Sequence, residues 1–269
     1  MRAFAKRHSL SLYFVLAFVW FWGCIALGYI QSFHFWAPLL GAFAPALSAL
    51  VVTGMAGGEP DVRELGCSLR KWRVGWLWYI VAFGLPVAEG LLAVGVASAF
   101  GIFKLTRINT EMLRATLPSV WIIFLFAAGE ELGWRGFALP RLLAGRNAIY
   151  ASIILGGLHA LWHWPLILLP HQYLSDVPVV PWTVSVIAEA LVFTWIARGT
   201  GGSVLLAGFF HGMVNITMVF YDGVDPHWMP WLKCGITVLV TLVLVLATGW
   251  KLVRQRPDTA APGMTTISG

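Results

Sequence analysis

Glu130 and Glu131 stand side by side in AAGEELGWRGFALPR (127–141), within a run that is otherwise apolar from Leu117 to Leu143. Arg135 lies four residues after Glu131. A charged side chain at the centre of a bilayer costs about 2.5–3.5 kcal/mol on insertion scales, so such groups face a protein interior or a water-filled cavity and mark function. Residues four apart share a helix face, which lets Glu131 and Arg135 pair within one helix. Glu130 is turned roughly 100° away and can address a different helix. The competing reading is a structural ion pair beside one neutral glutamate.

Two later apolar runs carry polar groups at helical spacing. LGGLHALWHWP holds His159 and His163, and FFHGMVN holds His211 and Asn215, each pair four apart and on one face. A lone histidine near a Trp-rich helix end is often an interfacial or core residue, and a lone Asn often joins two helices. Three such runs together point to one shared site. A carboxylate beside a histidine activates water as a general base. A further histidine and an amide can donate to an oxyanion, which suits hydrolysis of an amide bond. His and Glu also ligate zinc, although the sequence has no HExxH. It has no Gly-x-Ser-x-Gly elbow and no Ser/Lys pair for a serine peptidase. Glu189, alone in its run, either lines the same cavity or pairs with a neighbouring helix.

The elements that position these groups are set by composition. Only 11% of the 269 residues are charged, 59% are hydrophobic, and the mean hydropathy is +0.78. Soluble domains carry about 25% charged residues, so this is an all-α polytopic membrane protein. The net charge of +6 comes from Lys and Arg lying between apolar runs, a topology signal that excludes a nucleic-acid footprint. Cys24, Cys67 and Cys234 are scattered and form neither a metal spacing nor a disulfide framework.

About eight transmembrane helices are expected, over Leu10–Ile30, Phe35–Met55, Val74 or Trp76 to Phe100, Pro118–Leu139, Ile149–Leu169, Trp182–Ala197, Ser203–Tyr221 and Met229–Trp250. Leu10–Ile30 is too long for a signal-peptide core of about 7–15 residues. The polar stretch Gly57–Arg73 reads as a loop with a short surface helix. Lys104 to Arg114 reads as an amphipathic segment at the interface, and the acidic loop at Asp222 and Asp225 as solvated. Residues 1–256 form one membrane domain and 257–269 a flexible tail. With the N-terminus inside, the inner segments collect thirteen Lys and Arg and the outer ones only Lys104, Arg107, Arg114 and Lys233. Both termini are then cytoplasmic. No internal repeat favours an inverted-repeat transporter. Gly129 and Gly133 signal a close helix approach, and the many Trp residues suggest interfacial belts.

The three motifs in order, Glu130-Glu131-x3-Arg135, the His-bearing LWHWPL and His211-x3-Asn215, resemble those of the CPBP family of intramembrane proteases (CAAX prenyl endopeptidase and bacteriocin-processing type). GTGGSVLLAGFFHGMVN is similar to the family's segment through its last motif, and the likeness runs from about Ala127 to Asn215. The resemblance implies an intramembrane endopeptidase. Glu130 would activate water with help from His163, Glu131 and Arg135 would orient the site, and His211 and Asn215 would form the oxyanion hole. His163 fits the middle motif because Trp162 and Pro165 flank it; the aromatic position four before it is then His159, a supporting residue or alternative partner. The expected mechanism is glutamate-dependent with no required cofactor. Zinc is the alternative, held by Glu130, His163 and His211.

The expectation is therefore an integral protein of a bacterial inner (cytoplasmic) membrane that hydrolyses a peptide bond of a peptide or membrane-anchored protein, toward the cytoplasmic side, with the lipid bilayer and its substrate as partners and no nucleic acid. The alternatives are a non-catalytic scaffold or immunity protein of the same fold and a proton-coupled transporter.

Overall fold

The structure is a computed structural model, and it describes residues 2–30, 36–101, 114, 116–172, 174–218 and 228–253. Most of the segment Lys104–Arg114, the acidic loop at Asp222 and Asp225 and the tail 257–269 lie outside the described residues. The described chain is helical, with no strand among the described residues. A short α1 (Arg2–Arg7) leads into α2 (Ser9–Gly28); α3 (Trp36–Ala42) and α4 (Ala44–Ala56) come next. The surface helix α5 (Glu59–Cys67) has Glu59 and Asp61 in its first turn, where they complement the helix dipole. Then come α6 (Trp76–Ala99) and α7 (Val120–Glu131), which continues through a π turn (Leu132–Ala138) into α8 (Leu139–Leu143). The last four helices are α9 (Ala148–Leu168), α10 (Val179–Gly199), α11 (Val204–Ile216) and α12 (Met229–Thr248).

Six of these helical stretches are long and apolar enough to cross a membrane, and Ala44–Ala56 and Val204–Ile216 are shorter apolar helices. The chain is a polytopic membrane protein. Among the boundaries that differ from the sequence reading, two involve a proline. The run Phe35–Met55 is broken at Phe43 (φ −90°, ψ 1°), and Pro45 opens α4, where a missing backbone N–H does no harm. The helix expected to begin at Trp182 begins at Val179, because Pro181 falls within the first turn and is tolerated there.

The motif-bearing helices α9 and α11 are fixed at their starts by side-chain caps. Asn147 accepts from the Tyr150 N–H at 2.8 Å, and Ser203 accepts from the Leu206 N–H at 3.2 Å. Such caps are worth about 1 kcal/mol each. Helix α9 packs along α10, and α7 along α11. Ser152 Oγ lies 2.6 Å from Thr194 Oγ1 and joins the first pair at a buried position. The segments without motifs hold the site from behind. Phe21 of α2 stacks on Trp162 of α9 with ring centroids 3.7 Å apart, and Trp162 Nε1–H donates to the Ala17 carbonyl at 3.0 Å. Trp134 and Trp162 are fully buried, so these two are core residues and not belt residues. Trp76, Trp121 and Trp228 are exposed, as a belt requires.

Gly129 and Gly133 face α4 and the break before it. A Cβ at Gly129 would come within 2.8 Å of the Phe43 ring, and one at Gly133 within 2.6 Å of the Pro45 backbone. Gly133→Ala should therefore destabilise the protein by about 1–3 kcal/mol, the usual cost of overpacking. Gly157→Ala, where nothing lies within 4 Å of the added methyl, should leave the melting temperature in detergent nearly unchanged. Equal melting temperatures for the two variants would refute the close approach.

Candidate active site

The fourth apolar helix is not uniformly α-helical. It reaches Glu131 as α7 and then widens into the π turn Leu132–Ala138. Such turns are rare and cluster at functional sites. Glu131 is completely buried, and its Oε1 accepts two hydrogen bonds, from Arg135 Nη1 at 2.9 Å and from His211 Nδ1 at 2.8 Å. The pairing of Glu131 with Arg135 is present despite the wider turn. The Arg135 guanidinium lies over the Phe193 ring of α10, 3.8 Å from its centroid. A buried charge without partners is costly; here carboxylate, guanidinium, imidazole and ring meet from three helices.

Glu130 points elsewhere, as the 100° rotation requires. Its Oε2 lies 3.2 Å from His159 Nε2. His163 Nδ1 lies 3.1 Å from the His159 backbone carbonyl. A carbonyl only accepts, so Nδ1 carries the proton and Nε2 of His163 keeps its lone pair. The histidine in hydrogen-bond contact with Glu130 is His159, the alternative partner, whereas the family resemblance favoured His163 for its flanking Trp162 and Pro165. Both rings stay close, because Glu130, His159 and His163 each offer a ligand atom within 4.8 Å of the others. Trp134 packs against the His159 ring at 4.9 Å between centroids and fixes its plane.

Residues from both groups line a cavity of about 300 Å³, namely Arg135, His159, His163 and His211, and Asn215 lines it with them. Asn215 is exposed, one turn beyond His211 on α11. Glu189 of α10 also lines the cavity and lies 3.4 Å from Lys233 Nζ of α12. The two roles considered for Glu189 coexist: it lines the cavity and pairs with a neighbouring helix. Sequence spacing does not find a further carboxylate. Glu89, buried in α6, accepts from Thr237 Oγ1 at 3.3 Å. The signal was available, because Glu89 is a carboxylate alone in an apolar membrane run. It has no polar residue at helical spacing to mark it.

The donor set fits a zinc ion in composition. One carboxylate and two imidazoles make a familiar catalytic set, and the His163 Nδ1–H bond to a carbonyl is the outer contact that orients a ligating imidazole. The expected set of Glu130, His163 and His211 is not the one brought together: His211 Nδ1 is turned to Glu131, and His159 takes its place.

The family model described as type II CAAX prenyl endopeptidase Rce1-like matches residues 112–217. CAAX prenyl protease 2 of Methanococcus maripaludis is 30% identical over 106 residues, which are 37% of this chain and 39% of that protein. The match therefore spans about two fifths of the relative's length. The family match includes Glu130 to Asn215 and excludes Glu89 and Lys233.

The buried network makes a stability prediction. Arg135→Met leaves Glu131 with His211 as its remaining partner and should cost about 3 kcal/mol, the lower end of the range for breaking a buried pair. Glu130→Gln keeps a hydrogen-bonding group beside His159 and should shift stability by no more than about 1 kcal/mol. Thermal unfolding in detergent checks both, and a larger loss for Glu130→Gln than for Arg135→Met would contradict the assignment.

Proposed function

We propose that this chain, whose residues 112–217 match that family model, is an intramembrane endopeptidase of the CPBP family in which Glu130 activates water. The observation that carries the reading is the convergence of Glu130 with His159 and His163, two histidines that line one cavity together with His211 and Asn215. Glu130 Oε2 takes a proton from a water whose oxygen attacks the scissile carbonyl carbon. The free lone pair of His163 Nε2 accepts that water's other hydrogen and holds it in place. The carbonyl oxygen becomes an oxyanion that accepts from the Asn215 amide and from His211 Nε2–H. Because His211 Nδ1–H is committed to Glu131, Nε2 donates only when the ring carries both protons. The proton on Glu130 then passes to the leaving nitrogen as the C–N bond breaks. Glu131 and Arg135 touch no reacting atom in this scheme; they hold the His211 ring.

If a zinc ion is the resident cofactor, Glu130, His159 and His163 would hold it, and it would supply Lewis acidity and an acidified water. The substrate is a peptide or a membrane-anchored protein. The relative's name specifies a prenylated substrate for that protein, and nothing in the 300 Å³ cavity demands a prenyl chain here. The protein sits in a bacterial cytoplasmic membrane with both termini in the cytoplasm, a placement supported by its Lys and Arg distribution.

Cleavage of a fluorogenic peptide library by purified protein tests the reading. Glu130→Gln should lower the rate by about 10²–10⁴, the range for loss of general acid–base catalysis. Asn215→Ala should lower kcat by about 10²–10³, as for an oxyanion donor. A chelator should leave the wild type unaffected. Inactivation by the chelator with recovery on Zn²⁺ would replace the direct mechanism with the metal one. Full activity of Glu130→Gln would overturn the proposal.

A further inference from the structure

We infer that the cavity opens on the non-cytoplasmic side of the membrane, so that the substrate is a polypeptide segment presented at that surface. Two ends of the helix bundle can be told apart by contacts. At one end the Arg2 side chain donates to the Ala56 and Gly57 carbonyls at 3.1 and 2.8 Å, and Lys71 Nζ donates to the Gly201 carbonyl at 2.9 Å. Leu252 packs there on Ala148. These contacts gather the N-terminus, the stretch 56–73, the turns at 144–147 and 199–203 and the start of the C-terminal segment. They carry Arg2, Lys6, Arg7, Arg63, Arg70, Lys71, Arg73, Arg146, Arg198 and Lys251, with Arg141 close by on α8. At the other end Tyr29 Oη–H donates to the Pro170 carbonyl at 2.7 Å.

The cavity belongs to this second end. Its lining runs from Arg135 and His159 in the interior to Asp176, Met218 and Met229, which lie on or beside the connections after α9, after α11 and before α12. Asp176 is exposed. Among the described residues of this second end and its flanking helix starts, the basic ones are Arg114 and Lys233, against the ten of the opposite end. Positive charge in short connections stays cytoplasmic, so the basic end faces the cytoplasm and the cavity mouth faces away from it. This differs from the sequence expectation of a site toward the cytoplasmic side, which took its depth from Arg141 alone. The histidines of α9 and α11 lie beyond the midpoints of their helices, toward the other end. The orientation rests on charge and contacts; that the visitor is a peptide rests on the endopeptidase reading.

The chain carries its own reporter. Cys67, at the end of α5 among the basic residues, is free and exposed, whereas Cys24 and Cys234 are free and buried. The full chain is expressed in a bacterial host, and spheroplasts are treated with a membrane-impermeant maleimide before and after permeabilisation. The wild type should be labelled only after permeabilisation. The double variant Cys67→Ser, Asp176→Cys should be labelled to the same extent before and after. Labelling of the wild type in intact spheroplasts, or of the double variant only after permeabilisation, overturns the inference. Labelling needs no turnover, so its outcome is independent of whether the peptidase assay succeeds.

Discussion

The structure depends on a single oxygen atom, Glu131 Oε1, which accepts from Arg135 within its own helix and from His211 across the bundle. In an apolar interior a carboxylate survives only where its partners are already in place. That requirement ties α7, the π turn and α11 to one geometry. The Phe193 ring beneath the guanidinium brings α10 into the same arrangement. The His211 ring, a donor in the proposed scheme, is therefore held by an interaction that takes no part in the proposed chemistry. Glu130 is left with its orientation set and its acceptor capacity partly unused.

Close backbone approach is the second constraint. Gly133 against Pro45 and Gly208 against Ala128, whose Cα an added Cβ would meet at 3.1 Å, let helices meet without side chains between them. In lipid, where burial of apolar surface drives little association, such contacts and the hydrogen bonds they permit hold helices together. The break at Phe43 belongs to the same economy of space. It sets Pro45 at the start of a helix and lets that start press on the π turn. Helices α2 to α4, which contain no motif, thus determine where the motif residues stand.

Much of this was legible in the sequence because the bilayer enforces it. Apolar runs marked out the helices, and Glu130, Glu131 and Arg135 stood out since few charges are tolerated there. The Glu131–Arg135 pair was implied by helical spacing. The partner of Glu130 was not. His159 and His163 share a face, and which ring reaches the carboxylate depends on how far α9 is shifted along α7, a tertiary quantity with no local signal. The break at Phe43 was missed for a similar reason: α3 and α4 are both apolar, so hydropathy runs smoothly across it. The many Trp residues suggested belts, yet the rings of Trp134 and Trp162 are enclosed by neighbours. Glu89 obeyed the rule that exposed the motif glutamates, but without a second polar residue at helical spacing it formed no pattern.

The π turn has a consequence for how this segment tolerates change in length. A π turn closes its hydrogen bonds one residue later than an α turn, so it acts as a one-residue phase shift between the helix on its N-terminal side and the helix on its C-terminal side. Upstream lies the glutamate doublet that builds the site; downstream lie Leu139 and Leu142, both buried in the core. In an unbroken α-helix removing one residue would swing one set by about 100° relative to the other. The wider turn separates the two registers, so the aim of the carboxylates and the anchoring of the helix end are set independently. A residue gained or lost within 132–138 would change the turn type and re-aim the glutamate doublet relative to the buried Leu139 and Leu142.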